Sequence, residues 1–398
     1  MKRRSFLVGS SALAVSGLLS GCSGQQQAIL KVRLLKDSIP AQLLNEFRKE
    51  LQQSAGLDFA AETQFKDLFA QLQNWQEKPK ANNWWSNIPL PFGKERAIPI
   101  ADLVTLGDYW LTQAIAKKLI QPLDPKQLDR WPQLPQRWQE LVRRNDQGKP
   151  DPKGKIWGAP YRWGSTVIAY RRDKFESNGW KPPTDWADLW RTEFSSSISL
   201  LDQPREVIGL TLKKLGHSYN SDRLDKIPNL KQELLALHQQ VKFYSSDAYL
   251  QPLILGDTYL AVGWSTDVLP VMQRYRNIAA VVPQSGTALW TDLWVRPAGA
   301  NTSPDLLQQW IDFCWQPDTA RLLSRFTQAA SPILAGKNLV EFANTDRNRV
   351  VLPTAEIVQN SEFLLSLSQK TLQEYQSLWR EIRFQGLGVR DRSSNEKG

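Results

Sequence analysis

Few residue types in this chain could do chemistry. It has 2 His and 2 Cys in 398 residues, too few for a zinc finger or a His-rich catalytic metal centre. No glycine-rich phosphate loop of the P-loop kind occurs, so neither zinc nor ATP chemistry, nor any cofactor or metal, is expected. His217 and His238 lie in no nucleophile arrangement, and His238, in Leu234-Leu235-Ala236-Leu237-His238, reads as an ordinary helix position. The cysteine placed for chemistry is Cys22. The run Leu19-Ser20-Gly21-Cys22 resembles a bacterial lipobox, in which the thiol is acylated and the cysteine becomes the new N-terminus after cleavage. An ordinary cleaved signal with an incidental cysteine, or an uncleaved anchor, are the alternatives. Acyl chains contribute about 0.8 kcal/mol per buried methylene, enough when several are present to hold a protein at a membrane without a spanning helix. Cys314, in Leu306-Leu307-x-x-Trp310-Ile311-x-Phe313-Cys314, falls on an apolar helical face and reads as core.

The remaining candidates are acids and tryptophans, of which there are 17. The 50 Lys and Arg against 40 Asp and Glu give a net charge of +10. These charges are scattered rather than gathered into a stripe, so nucleic acid is not an expected partner. Residues 1–22 read as an export signal: Lys2, Arg3 and Arg4, an apolar run through Leu19, then small residues. Arg3-Arg4 followed by Phe6-Leu7 resembles a twin-arginine signal. Removing those three cations lowers the net charge from +10 to about +7. Residues 23–28 then form a polar tether.

The elements that must position any site alternate in type. Ile29 to Leu35 reads as a strand and Pro40 opens a helix with Leu43, Leu44, Phe47 and Leu51 on one face. The pattern returns with a strand at Ile98 to Leu106 and a helix carrying Leu111, Ala114, Ile115 and Leu119. Later strands are expected at Ser199 to Leu201, Tyr259 to Gly263 and Ile278 to Val282, with a helix at Arg205 to Leu215. Repeated strand–helix units argue for an α/β sheet. The segment Gly158 to Tyr170 and the segment Ala288 to Val295 have the character of strands that cross between domains. Loops are expected between Gln76 and Arg96 and from Gly148 to Gly154, and a disordered tail over residues 390–398.

One segment is more specific. Gly154-Lys155-Ile156-Trp157-Gly158-Ala159-Pro160-Tyr161-Arg162-Trp163-Gly164 resembles the crossover strand of the bacterial spermidine/putrescine-binding proteins, a branch of the extracellular solute-binding family of ABC importers. Four further stretches resemble that branch in the same order: Asp102 through Asp124, Leu201 through Gly216, Val262-Gly263-Trp264-Ser265, and Pro283 through Asp292. The resemblance runs from about Leu30 to about Arg383. It implies a two-lobe periplasmic binding protein fold, with residues 29–160 and 291–335 in one lobe and 161–290 and 336–389 in the other. It further implies a monomeric periplasmic lipoprotein, not an enzyme, that closes on a polyamine and hands it to a membrane permease.

A polyamine is a methylene chain bearing ammonium groups, so its site needs carboxylates and flat apolar walls. The resemblance gives the wall role to Trp264 and Trp290 and the carboxylate role to Glu206 and Asp292, with Asp108, Tyr109 and Asp37 as further contacts. Each acid has another reading: a buried ion-pair partner for Asp292, a helix-start charge for Glu206, a helix cap for Asp108. The chain departs from the branch where an aromatic and acidic group would end the first strand, which here reads Leu35-Lys36-Asp37-Ser38, and where Gln203 stands in place of an acid. The same fold holding a sugar or organic ion, with Lys36 or Arg162 answering an anion, is the second reading. An exported hydrolase with paired carboxylates is the third.

Overall fold

A computed structural model describes residues 28–51, 55–76, 99–301, 304–337, 339 and 345–394. The signal segment with Cys22, the tether up to residue 27 and most of the loop expected after Gln76 lie outside the described residues. Among those described, no helix is long and apolar enough to cross a membrane.

Thirteen strands are described: β1 (Ile29–Leu35), β2 (Gly56–Glu62), β3 (Leu103–Gly107), β4 (Ile120–Gln121), β5 (Arg143–Arg144), β6 (Lys155–Ile156), β7 (Ala159–Arg171), β8 (Ile198–Leu200), β9 (Val241–Tyr244), β10 (Leu260–Trp264), β11 (Ile278–Val281), β12 (Ala288–Pro297) and β13 (Glu362–Phe363). Eleven form one sheet in the order β2-β1-β3-β12-β7-β10-β8-β9, with β11 also on β7, and β4 and β13 on β12, while β5 and β6 pair separately. Parallel β1, β2 and β3 are joined through helices Ala41–Glu50 and Phe65–Gln76, which cover them with Leu43, Phe47, Leu68, Phe69 and Leu72. A parallel sheet buried on both faces needs such crossovers.

Strand β7 explains how the two halves meet. Its thirteen residues are buried through Tyr170, and its partners change along its length. Ala159 to Ser165 pair antiparallel with β12, whereas Thr166 to Tyr170 pair with β10 and Ile168 to Arg171 also with β11. Strand β12 in turn pairs with β3 from Asp292 to Val295. Two long strands thus stitch a β1–β3 layer to a β8–β11 layer. A register shift between Asp292 and Leu293 turns the chain, and Trp294 stacks on Tyr161 with ring centres 4.2 Å apart.

Aromatic residues fill both cores. One cluster holds Phe47, Trp138, Trp163, Trp294, Trp310 and Trp315, and Cys314 is a buried thiol within it. The other holds Phe175, Trp186, Phe194, Tyr219 and Leu237, with Tyr375 and Trp379 from the final helix Gln369–Ser394 closing it. That helix passes residue 390, so the backbone of 390–394 is helical where a disordered tail was expected. Of the strand expected at Ile98 to Leu106, Ile98 lies outside the described residues and the observed strand begins at Leu103; just before it the Asp102 carboxylate accepts from the Lys31 backbone N–H (2.7 Å).

Candidate functional site

Strand alternation puts Arg162, Gly164 and Thr166 of β7 on one face. Their partners in register, Asp292, Trp290 and Trp264, come from β12 and β10. Five side chains and a glycine are therefore assembled by pleat and register alone.

Glu206 enters this face from the first turn of the helix Pro204–Lys214, where Pro204 fixes the entry and the acid suits the N-terminal end. Its carboxylate accepts from Thr166 Oγ1 at 3.1 Å on each oxygen and from Trp264 Nε1 at 3.3 Å. It is 6% exposed and forms no ion pair among the described residues. Burial pushes its carboxyl above the usual range, and the Thr166 and Trp264 hydrogen bonds and the nearby Arg205 charge pull the other way. A buried carboxylate whose hydrogen bonds all come from neutral donors still favours a cation in direct contact. Trp264 is fixed by its own backbone N–H donating to Tyr249 Oη (3.1 Å), while that phenol donates to Asp267 (2.9 Å).

Trp290 lies flat on Gly164. A Cβ at position 164 would sit 2.2 Å from Trp290 Cζ2 and 2.6 Å from Ser265 Oγ, so glycine is what lets the indole lie there. The Trp290 Nε1 and the Ser165 Oγ are buried without hydrogen-bond partners.

Asp292 is 1% exposed and Arg162 6%, and the two form an ion pair between Arg162 Nε and Asp292 Oδ2. Burial works against the guanidinium charge, but Asp292 and Tyr161 outweigh it and hold Arg162 above its ordinary value. Burial likewise raises Asp292, with the guanidinium pulling it down. The ion-pair reading of Asp292 is the one this geometry matches. Asp108 opens the helix Asp108–Ala116 after β3, and its Oδ1 accepts from the Thr291 N–H at 3.3 Å. Burial, opposed by that bond and reinforced by Asp292, pushes it up to about 7.

The other candidates stand further out. Tyr109 is 65% exposed, its ring edge-on to Trp110, and it lies within electrostatic reach of Arg205 at the start of the helix Pro204–Lys214. Asp37 sits in the turn after β1, exposed and in left-handed backbone (φ 61°). No hydrogen bond or ion pair among the described residues joins it to the others. Lys36 beside it and Gln203 are also exposed. Thr166, Tyr249 and Gly164 were not among the expected residues. The i, i+2, i+4 spacing of Arg162, Gly164 and Thr166 on a strand is the signal that could have found two of them. Surface cavities of about 920 and 670 Å³ lie elsewhere, under Leu230 and Leu378 and beside Phe47 and Asp312. No cluster of three His, Cys, Asp or Glu able to hold a metal occurs among the described residues.

Two layers stitched by crossing strands, with acids and indoles converging at the crossing, define a solute-binding protein. The signature of the bacterial extracellular solute-binding proteins matches residues 99–360, and the chain belongs to that family. Membership implies a periplasmic location. The chain is 29% identical over 264 residues to the spermidine/putrescine-binding periplasmic protein of Escherichia coli, covering 66% of this chain and 72% of that one. It is 28% identical over 270 residues to the putrescine-binding periplasmic protein PotF of Escherichia coli, covering 64% and 71%. Among solved structures, the fold is similar to the spermidine/putrescine ABC transporter substrate-binding protein PotD of Streptococcus pneumoniae, with TM-score 0.73, 19% identity and coverage of 90% and 99%. As a member of the solute-binding family, the chain is a binding protein and not an enzyme.

Proposed function

We propose that this protein binds an amine of the polyamine type between two lobes, residues 29–160 with 291–335 and residues 161–290 with 336–389, and delivers it to an ABC permease. Strands β7 and β12 serve as the hinge. Glu206 is the carboxylate that takes an ammonium, Trp264 and Trp290 are the walls against its methylenes, and Tyr109 and Asp37 reach the site on closure. The observation that carries this reading is Glu206: a buried carboxylate hydrogen-bonded by two neutral donors and, among the described residues, in no ion pair. An ammonium placed on it gains a charge-assisted hydrogen bond of about 1.5–3 kcal/mol. An indole face adds about 0.5–2 kcal/mol. The names of the relatives, which bind spermidine and putrescine, support the same ligand class. On this reading the mature chain is a monomer that starts at an acylated Cys22 and is exported by a twin-arginine signal.

The test is a titration of the chain from Ser23 onward, without the acylated Cys22, with putrescine, spermidine, a neutral sugar and glutamate, followed by tryptophan fluorescence and heat. Saturable binding of an amine, with none of sugar or glutamate, is expected. Binding of glutamate or sugar in place of amines would overturn the ligand assignment.

A further inference from the structure

The site departs from a simple acid-and-indole cleft in where its positive charges lie. Arg162 and Asp292 are cross-strand partners in register, and their ion pair is almost wholly buried. Arg144, 3% exposed, lies within electrostatic reach of Asp108. Asp292 is thus the acid with a guanidinium in direct contact, whereas Asp108 and Glu206 have theirs, Arg144 and Arg205, only within electrostatic reach. Gln203 and Lys36 add no negative charge at the rim. An ammonium brought to Asp292 would meet the Arg162 guanidinium there, and displacing it would leave that cation buried without a partner, which is strongly unfavourable. The arrangement repels a second cation.

The same face holds a donor without an acceptor. Trp290 Nε1 can only donate, and it is buried without a partner. An ammonium offers it no acceptor. A carbonyl oxygen does.

We propose that this cleft selects an amine carrying a single ammonium group, seated on Glu206, and a neutral hydrogen-bond-accepting group at its other end, such as an N-acylated diamine. Arg162 is the residue that sets this preference, by occupying Asp292. The proposal rests on the amine-binding reading of the site and narrows it.

The experiment is calorimetric titration of the mature protein with N-acetylputrescine, putrescine and spermidine at neutral pH. N-acetylputrescine should bind about tenfold or more tightly than putrescine, the ratio expected when one charge-assisted contact is gained or a charge is left unmatched. Arg162→Gln, which frees Asp292, should narrow or reverse that ratio. The double variant Arg162→Gln/Asp292→Asn removes both charges and should retain the preference for N-acetylputrescine. Should Arg162→Gln fail to fold, the ratio in the unaltered protein and in the double variant still decides. Putrescine or spermidine binding as tightly as N-acetylputrescine in the unaltered protein overturns the inference and leaves the amine reading standing. Absence of binding by all three overturns the amine reading itself, and the inference with it.

Discussion

Replacing Gly164 by alanine should disable the amine site without removing any group assigned to the ligand. The added Cβ would lie 2.2 Å from Trp290 Cζ2, 2.7 Å from Trp290 Cε2 and 2.6 Å from Ser265 Oγ, against roughly 3.5 Å or more for carbon atoms in favourable contact. The strand cannot slide away, because Gly164 is paired with Trp290 in the middle of the β7–β12 ladder. The indole must therefore yield. Overpacking of this kind costs about 1–3 kcal/mol, and a displaced indole also forfeits its contact with the ammonium, about 0.5–2 kcal/mol of affinity. Urea unfolding should show a lower midpoint at unchanged slope, and the amine titration a weaker affinity by roughly twofold to thirtyfold. In a Trp290→Ala background, where the Cβ has room on the indole side, the loss of stability from Gly164→Ala should shrink. Stability within about 0.5 kcal/mol of the unaltered protein, with unchanged amine affinity, would refute the packing argument and with it the wall role of Trp290.

Asp108 gives a pH dependence of defined sign. Its carboxyl, raised to about 7 mainly by burial, binds its proton more tightly folded than unfolded, so its contribution to stability is full below about pH 4 and is lost as pH rises towards 7. Asp108→Asn should remove that decline, seen as a smaller fall in melting temperature between pH 5 and 8 than in the unaltered protein; equal falls would contradict the assignment. Tyr249→Phe removes the acceptor of the Trp264 N–H and should cost about 1 kcal/mol in urea unfolding while weakening amine binding through a less fixed Trp264. A variant with unaltered affinity would show that Tyr249 does not position the indole.

Much of the frame was legible in the sequence because hydrophobic runs and strand-to-helix alternation dictate it. The strand Ile29–Leu35, the helix after Pro40 and the long crossing strand at Ala159–Arg171 stand where those patterns put them. Strand Gly56–Glu62 was not read, since its burial comes in no alternating pattern and none of its residues is fully buried. The site was legible in part. Trp264, Trp290, Asp292 and Glu206 do share the crossing-strand face, but pairing decides what each acid does, and pairing is a matter of register. Arg162 is 130 residues from Asp292 in sequence, and only the β7–β12 alignment makes them neighbours. Nor could the sequence tell that Gly164 is the floor under an indole, because that follows from the same register.

The most direct test of the account is Glu206→Gln, which preserves shape and an acceptor for Thr166 while removing the negative charge. Its affinity for the tightest binder among putrescine, spermidine and N-acetylputrescine should fall by roughly tenfold to 150-fold, the loss of one charge-assisted hydrogen bond, with little change in urea midpoint. Undiminished amine binding by a folded Glu206→Gln protein would contradict the central claim that this buried carboxylate holds the ligand's cation.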